Sequence, residues 1–275
     1  MKTDKLQLQR FELKYLVSEP VAHAVRDFVG SYLELDENCL GKPENSYLNH
    51  SYYLDSGDLH CFWSVINGNL NRFKLRLRFY DENPTGPVFF EIKRRANDAI
   101  LKQRGPVHRW AVPLLLAGQT PEPKHLMSDN PKHLAAVQRF SEMIITHRAG
   151  LKTHVSYLRE AWVSRTDNSV RVTMDRSVCI SPRFVPAITT QQENPVMPWG
   201  RQVILELKFT GRFPNWFGEL TRIFGIRQCG VAKYAEGVDL LGEDRLTPLQ
   251  AAAANARHAA DSWRARRSDR NAQPS

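Results

Sequence analysis

Three short segments repeat one arrangement of acid and base: Glu12 with Lys14, Glu91 with Lys93, and Glu206 with Lys208. In extended chain a spacing of two puts both charges on one face. One such pair is the ordinary charge ladder of a wet strand. Here Lys74, Arg76 and Arg78 add a further cationic run, and Tyr157 with Arg159 and Arg171 with Asp175 extend it. A merely wet face would draw on Thr, Ser, Gln and Asn as well. The chemistry this inventory suits is that of phosphate groups. Guanidinium forks and compact ammonium charges bind phosphate oxygens, and magnesium or manganese is held by one or two carboxylates with substrate phosphates completing the shell. Phosphoryl transfer asks for positioning and charge neutralisation more than for a protein nucleophile. No catalytic Ser, Cys or His is then required. His50, His108 and His147 have no ligand spacing, and there is no phosphate-cradling glycine loop.

Strands must carry these faces. Phe73, Leu75, Leu77 and Phe79 alternate with Lys74, Arg76 and Arg78, and 88–94 repeats the pattern after a Pro/Gly turn at 83–87, which predicts a hairpin. Further strands are expected at 11–15, 47–55, 155–163, 170–176 and 202–209. Helices are expected after Ser18, after Ser56, from Pro131 to Gly150 with Asn130 as cap and the glycine as stop, and from Pro214 to about Gly225. Phe62 with Trp63, and Trp216 with Phe217 and Leu220, read as helix core rather than base-stacking platforms. The order predicts an α+β domain on an antiparallel sheet or barrel. In a closed barrel the charged faces all line the lumen or all meet water. The opposite faces, with Leu75, Leu77, Val88, Phe90, Ile92, Val203, Leu205 and Leu207, are apolar and can be covered by helices. A charged lumen and a single wet face generate this pattern equally well.

Composition bounds the rest. The chain has 275 residues and is 42% hydrophobic, enough for a sizeable core, and carries a formal charge of +9, which favours a polyanionic partner. The longest apolar stretch, 110–118, is interrupted by Pro113 and is far short of the roughly 20 residues of a membrane helix. Residues 1–16 lack a signal-like apolar run, and the expected compartment is the cytoplasm. Four cysteines without a Cys-x-x-Cys pair indicate neither a disulfide framework nor a structural zinc site. Residues 1–249 are expected to form the domain. The Ala- and Arg-rich segment 250–275 is expected to be a partly helical or disordered tail, with five Arg against two Asp.

Eight motifs, none specific alone, occur in a telling order: Arg10-Phe-Glu-Leu-Lys-Tyr15, Tyr53-Leu-Asp-Ser56, Lys74-Leu-Arg-Leu-Arg78, Glu91-Ile-Lys93, Tyr157-Leu-Arg159, Arg171-Val-Thr-Met-Asp175, Glu206-Leu-Lys208 and Ala232-Lys-Tyr234. In this order the sequence, over about residues 8–241, resembles VTC-type polyphosphate polymerase domains of the triphosphate tunnel metalloenzyme (CYTH-like) superfamily. The resemblance implies an antiparallel β-barrel tunnel with helices outside and transfer of the γ-phosphoryl of ATP to a growing polyphosphate chain, with Mn²⁺ or Mg²⁺ as cofactor. Lys14, Arg76, Arg78, Lys93 and Arg159 correspond to the catalytic phosphate ligands. Arg10, Arg95, Tyr157, Arg171, Lys208 and Lys233 correspond to substrate contacts, and Glu206 to the metal ligand; Glu12 and Glu91 receive no role. Two positions depart: the family often has His where Arg95 stands and Ser where Ala232 stands. The wider superfamily opens with Glu-x-Glu-x-Lys, whereas this chain has Arg10-x-Glu12-x-Lys14, and one carboxylate fewer favours the polymerase branch over hydrolases. The expected partners are ATP and polyphosphate, with room for a membrane-protein partner. A tripolyphosphate or nucleoside-triphosphate hydrolase is the nearest rival. A nucleic-acid binding module is a distant one, because it leaves Glu12, Glu91 and Glu206 idle.

Overall fold

The computed structural model describes residues 10–96, 99–167 and 169–247. The tail over 250–275 lies outside the described residues, as does the Arg10 side chain. In chain order the elements are β1 (Arg10–Val17), α1 (Glu19–Gly30), β2 (Glu34–Leu35), β3 (Tyr47–Asp55), α2 (His60–Ile66), β4 (Arg72–Phe79), β5 (Val88–Ala96) and β6 (Ala99–Val107). They continue as α3 (Val112–Leu116), α4 (Pro131–His147), β7 (Gly150–Val163), β8 (Val170–Pro182), β9 (Val203–Thr210), α5 (Asn215–Ile223) and α6 (Lys233–Leu241). No helix among the described residues is long and apolar enough to cross a membrane.

The fold is α+β: a curled antiparallel sheet in the order β1-β9-β8-β7-β3-β4-β5-β6, with β2 paired to β7 and helices packed around it. β1 and β6 are the ends of this path. Among the described residues no ladder joins them, but Lys93 of β5 reaches across to Glu12 of β1 at 3.1 Å. The expected hairpin is present and is extended by β6, which alternation did not reveal because Gly105 and Pro106 interrupt it. Gly105 has a packing reason: a Cβ there would sit 2.6 Å from the His133 carbonyl oxygen on α4.

Alternation sorts the side chains as the pattern requires. On the outer face Leu75, Leu77, Phe90 and Ile92 pack with Val137 and Phe140 of α4 and Leu115 of α3. Val172, Leu205 and Leu207 pack with Val25 and Val29 of α1 and Phe217 and Leu220 of α5. A further apolar cluster joins inward residues Val155, Ile180 and Ile204 to Tyr234, Ala235 and Val238 of α6 and Phe62 of α2. α6 therefore closes on the concave side of the sheet rather than on its back. Gly237 permits this, since a Cβ there would meet Ile180 at 2.5 Å.

Asn130 caps α4 as expected, accepting from the Lys132 amide at 3.0 Å. The helix does not run to Gly150. It ends at His147, where Arg148 takes the left-handed conformation (φ 48°), and Gly150 opens β7. At α2 the Ser56 hydroxyl accepts from the His60 amide at 3.0 Å, but the buried Asp55 carboxylate carries the larger share. It accepts from the amides of Ser56, Cys61 and Phe62 and from the Tyr234 hydroxyl at 2.7 Å. One side chain thus ties the end of β3, the start of α2 and α6 together. Asp55→Ala strands several buried donors, each costing about 1–3 kcal/mol, so a loss of at least about 3 kcal/mol is expected in urea unfolding. A loss below about 1 kcal/mol would show that this tie does not hold α6.

Candidate polyanion site on the concave face

Strand register places the predicted residues on one surface. Lys14 lies opposite Glu206, and Glu12 opposite Lys208. Arg171 lies opposite Lys208, Arg159 opposite Asp175, Arg76 opposite Glu91, and Lys74 opposite Lys93. Lys233 enters from the first residue of α6. Lys14, Arg76, Arg78, Lys93, Arg159, Tyr157, Arg171, Lys208, Lys233 and Glu206 are thereby brought to the concave side. Arg95 continues the same alternation, opposite Arg72.

The ion pairs gather around two centres. In the first, Glu206 is bonded by Lys208 and faces Lys233 at 3.3 Å, Arg159 at 3.5 Å and Lys14 at 3.6 Å. Beside it Asp175 accepts both ends of the Arg159 fork, at 2.6 and 2.7 Å, and Lys233 at 2.7 Å. Glu12 joins through Lys14 at 3.3 Å. In the second, Glu91 holds Arg76 at 2.6 Å and Lys102 at 2.7 Å. Tyrosines set the cations between the two centres. Arg78 donates to the Tyr157 hydroxyl at 2.8 Å, and Arg159 and Lys233 lie over the Tyr157 ring at 5.1 and 5.0 Å. Arg76 donates to Tyr53 at 3.4 Å.

Burial alone would raise the Glu206 carboxyl, but Lys208, then Lys233, Lys14 and Arg159, hold it well below the usual carboxylate range. Burial likewise opposes ionisation of Glu91, and Arg76, Arg78 and Lys102 outweigh it. Both acids stay charged. The cations are less well served. Burial, only partly offset by Glu206, pulls Lys208 down to about 8. Burial and the nearby Lys14, Lys93 and Arg72 bring Lys74 to about 8, the Tyr53 hydroxyl being its favourable neighbour. Lys74 forms no ion pair among the described residues. Tyr53 moves with it: burial would raise the phenol, yet Arg76, Lys74 and Arg78 bring it to about 8. The concave face is short of negative charge, which is the condition for taking up an anion.

Sequence reading quoted Lys74 and Asp175 inside motifs but gave them no role, and it missed Lys102 and Arg104, which face inward from β6 opposite Lys93 and Glu91. The signal was the spacing of two between Lys102 and Arg104, hidden by the proline that follows. The expected core aromatics Phe62 and Phe217 are buried, whereas Trp63 is 41% exposed.

Residues 9–242 match the family model described as the VTC domain. No curated protein matches the chain. Among solved structures, a Bacillus halodurans protein provisionally assigned as an adenylate cyclase is 14% identical with a TM-score of 0.47, over 82% of this chain and 94% of its own. A Pyrococcus horikoshii OT3 protein is 11% identical with a TM-score of 0.41, over 82% and 96%.

The lowered lysines give a signed expectation. An anion beside Lys74 and Lys208 restores their protons, so binding takes up protons and weakens as pH rises above about 8, by up to about tenfold per unit for each lysine recharged. Calorimetry of inorganic tripolyphosphate binding in buffers of different ionisation heat measures the uptake, and Lys74→Met should remove part of it. Equal uptake in wild type and variant would mean that Lys74 does not meet the anion.

Proposed function

The chain belongs to the VTC-domain family of triphosphate tunnel proteins, and on that premise we propose that it is a polyphosphate polymerase that transfers the γ-phosphoryl of ATP to a growing polyphosphate chain. The observation that carries this reading is the concave face itself. Lysines and arginines from seven strands and α6 meet there in excess of the five carboxylates that pair with them, Glu12, Asp36, Glu91, Asp175 and Glu206, with the back of the sheet sealed by helices. A nucleic-acid surface would instead spread its cations over exposed positions.

In this reading Arg76, Arg78, Arg159, Lys14 and Lys93 hold the phosphoryl groups that react, while Arg171, Lys208, Lys233 and Tyr157, together with Arg10 and Arg95, hold the rest of the chain. An oxygen of the chain's terminal phosphate attacks the γ-phosphorus of ATP. The bond from that phosphorus to the β,γ-bridging oxygen breaks, and ADP leaves. The nucleophile is already ionised, so the protein moves no proton. Its contribution is alignment and neutralisation of charge on the transferred group, and cations fixed by their ion pairs do this without reorganising.

Glu206 and Glu12 are neighbours whose charges act on each other, and hard carboxylate oxygens of this kind fit Mg²⁺ or Mn²⁺. No three His, Cys, Asp or Glu side chains converge as a metal shell among the described residues. The protein would then give one or two oxygens, with phosphate and water supplying the others. Such a cation, when bound, neutralises phosphate charge. Glu206 is its ligand in this proposal, and Asp175, locked in the Arg159 fork, is a positioning residue.

Incubation of the purified protein with ATP and Mn²⁺, followed by a polyacrylamide gel stained for polyphosphate, should give long chains and ADP. Orthophosphate and ADP without chains would make the protein a hydrolase instead. Glu206→Gln should abolish transfer with the circular dichroism spectrum unchanged, and full turnover of that variant at limiting Mn²⁺ would place the metal elsewhere.

The charge-specific test compares two deletions of charge. Arg76→Ala should lower turnover by roughly 10²- to 10³-fold, the usual loss for one preorganised electrostatic contact. Removal of 250–275 takes away five Arg and two Asp, yet should leave turnover nearly unchanged, because the catalytic unit is assigned to 1–249. The reverse ranking, read from ATP consumption, would put the function in net charge or in the tail.

A further inference from the structure

At the end of the concave face away from α6, the charged lining gives way to rings. Tyr47 begins β3 directly opposite Arg159. Phe89 on β5 stands directly opposite Arg78. Tyr80 follows β4 and joins them, its ring centre 6.0 Å from Tyr47 and 6.2 Å from Phe89 at interplanar angles of 59° and 71°. The Arg104 guanidinium lies 5.0 Å over the Phe89 ring.

Two features leave these rings accessible. They are tilted or edge-on to one another, so no ring covers its neighbour's face as a stacked pair would. They are also not sealed: Tyr80 is 37% exposed, and Tyr47 and Phe89 are half-buried. A phosphate chain gains nothing from an apolar ring, yet these rings adjoin the arginines best placed to hold phosphates. One two-residue step along a strand, about 6.5–7 Å, separates Tyr80 from Arg78, comparable with the span of a ribose between an α-phosphate and its base.

We propose that Tyr47, Tyr80 and Phe89 form the seat for the base of the donor nucleotide, which rests on the reading of ATP as donor given above. The base stacks at this mouth on the open ring faces, the Arg104 guanidinium over Phe89 presenting a further planar surface, and the triphosphate runs inward from Arg78 toward Arg76 and Lys74. Aromatic stacking tolerates any base but favours the larger purine face, so the seat selects purine over pyrimidine nucleotides without reading hydrogen bonds.

Direct binding separates the base from the phosphates. ATP and inorganic tripolyphosphate are titrated calorimetrically into the full chain and into Tyr80→Ala and Tyr80→Phe. Loss of one stacking ring should weaken ATP by roughly 5- to 100-fold, leave tripolyphosphate within about twofold, and be rescued by Tyr80→Phe. Unchanged ATP affinity in folded Tyr80→Ala, or parallel weakening of both ligands, overturns the seat. Because the readout is binding, its failure is distinct from failure of the polymerase reading. A protein that makes no polyphosphate but shows the ATP-specific loss keeps the seat, and one that polymerises without that loss does not.

Discussion

Like charges crowded on the concave side of a sheet repel one another, the more strongly where side chains such as Arg78 and Lys208 are largely shielded from solvent. The ion pairs and tyrosine contacts of that face answer the constraint. Glu206 and Asp175 share Arg159 and Lys233, Glu91 holds Arg76 and Lys102, and the tyrosine hydroxyls and rings accept what remains. The compensation is partial, and Lys74 and Lys208 register the deficit in their lowered proton affinity. Such a surface is costly to fold and is relieved by a polyanion. The apolar layers on the back of the sheet, from α4 on one side to α1 and α5 on the other, supply the opposing stability.

The acids therefore hold two assignments at once. Glu91 lies far from Glu206 in sequence and on the opposite wall, and its work is to aim the Arg76 fork and to keep Lys102 near it. Glu12 spans from Lys14 to Lys93 and so links β1 to β5 across the curl through side chains. Sequence pattern alone left both without a role, since a carboxylate two residues from a lysine reads the same whether it pairs locally or across the curl.

Much of the architecture was legible because alternation is a local signal. The face of β4 that carries Lys74, Arg76 and Arg78 and the apolar face that carries Leu75 and Leu77 are one inference read from both sides. Whether that charged face met water or a lumen was undecidable locally, because curvature is a property of the whole sheet. β6 escaped notice because Gly105 and Pro106 break the alternation, and Gly105 is required by the close approach of α4. α6 was recognisable only through Lys233 and Tyr234. Its place on the concave side depends on Asp55 and Ile180, distant in sequence, which no local periodicity encodes. The end of α4 was misplaced for a simpler reason: glycine is the usual left-handed residue at a helix end, and here Arg148 takes that conformation instead.

The pairing of β1 with β9 joins nearly the two ends of the described chain. Contacts between residues so far apart in sequence form late, because the loop they close is long. During synthesis β1 emerges well before β9 and waits, its edge unpaired, until β9 has left the ribosome. Until then Lys14 faces no Glu206, and α6 has not yet brought Lys233 to Asp175. The half of the groove built on β1, β9 and α6 thus assembles later than the half built on the β4–β5–β6 hairpins, whose partners are neighbours in sequence.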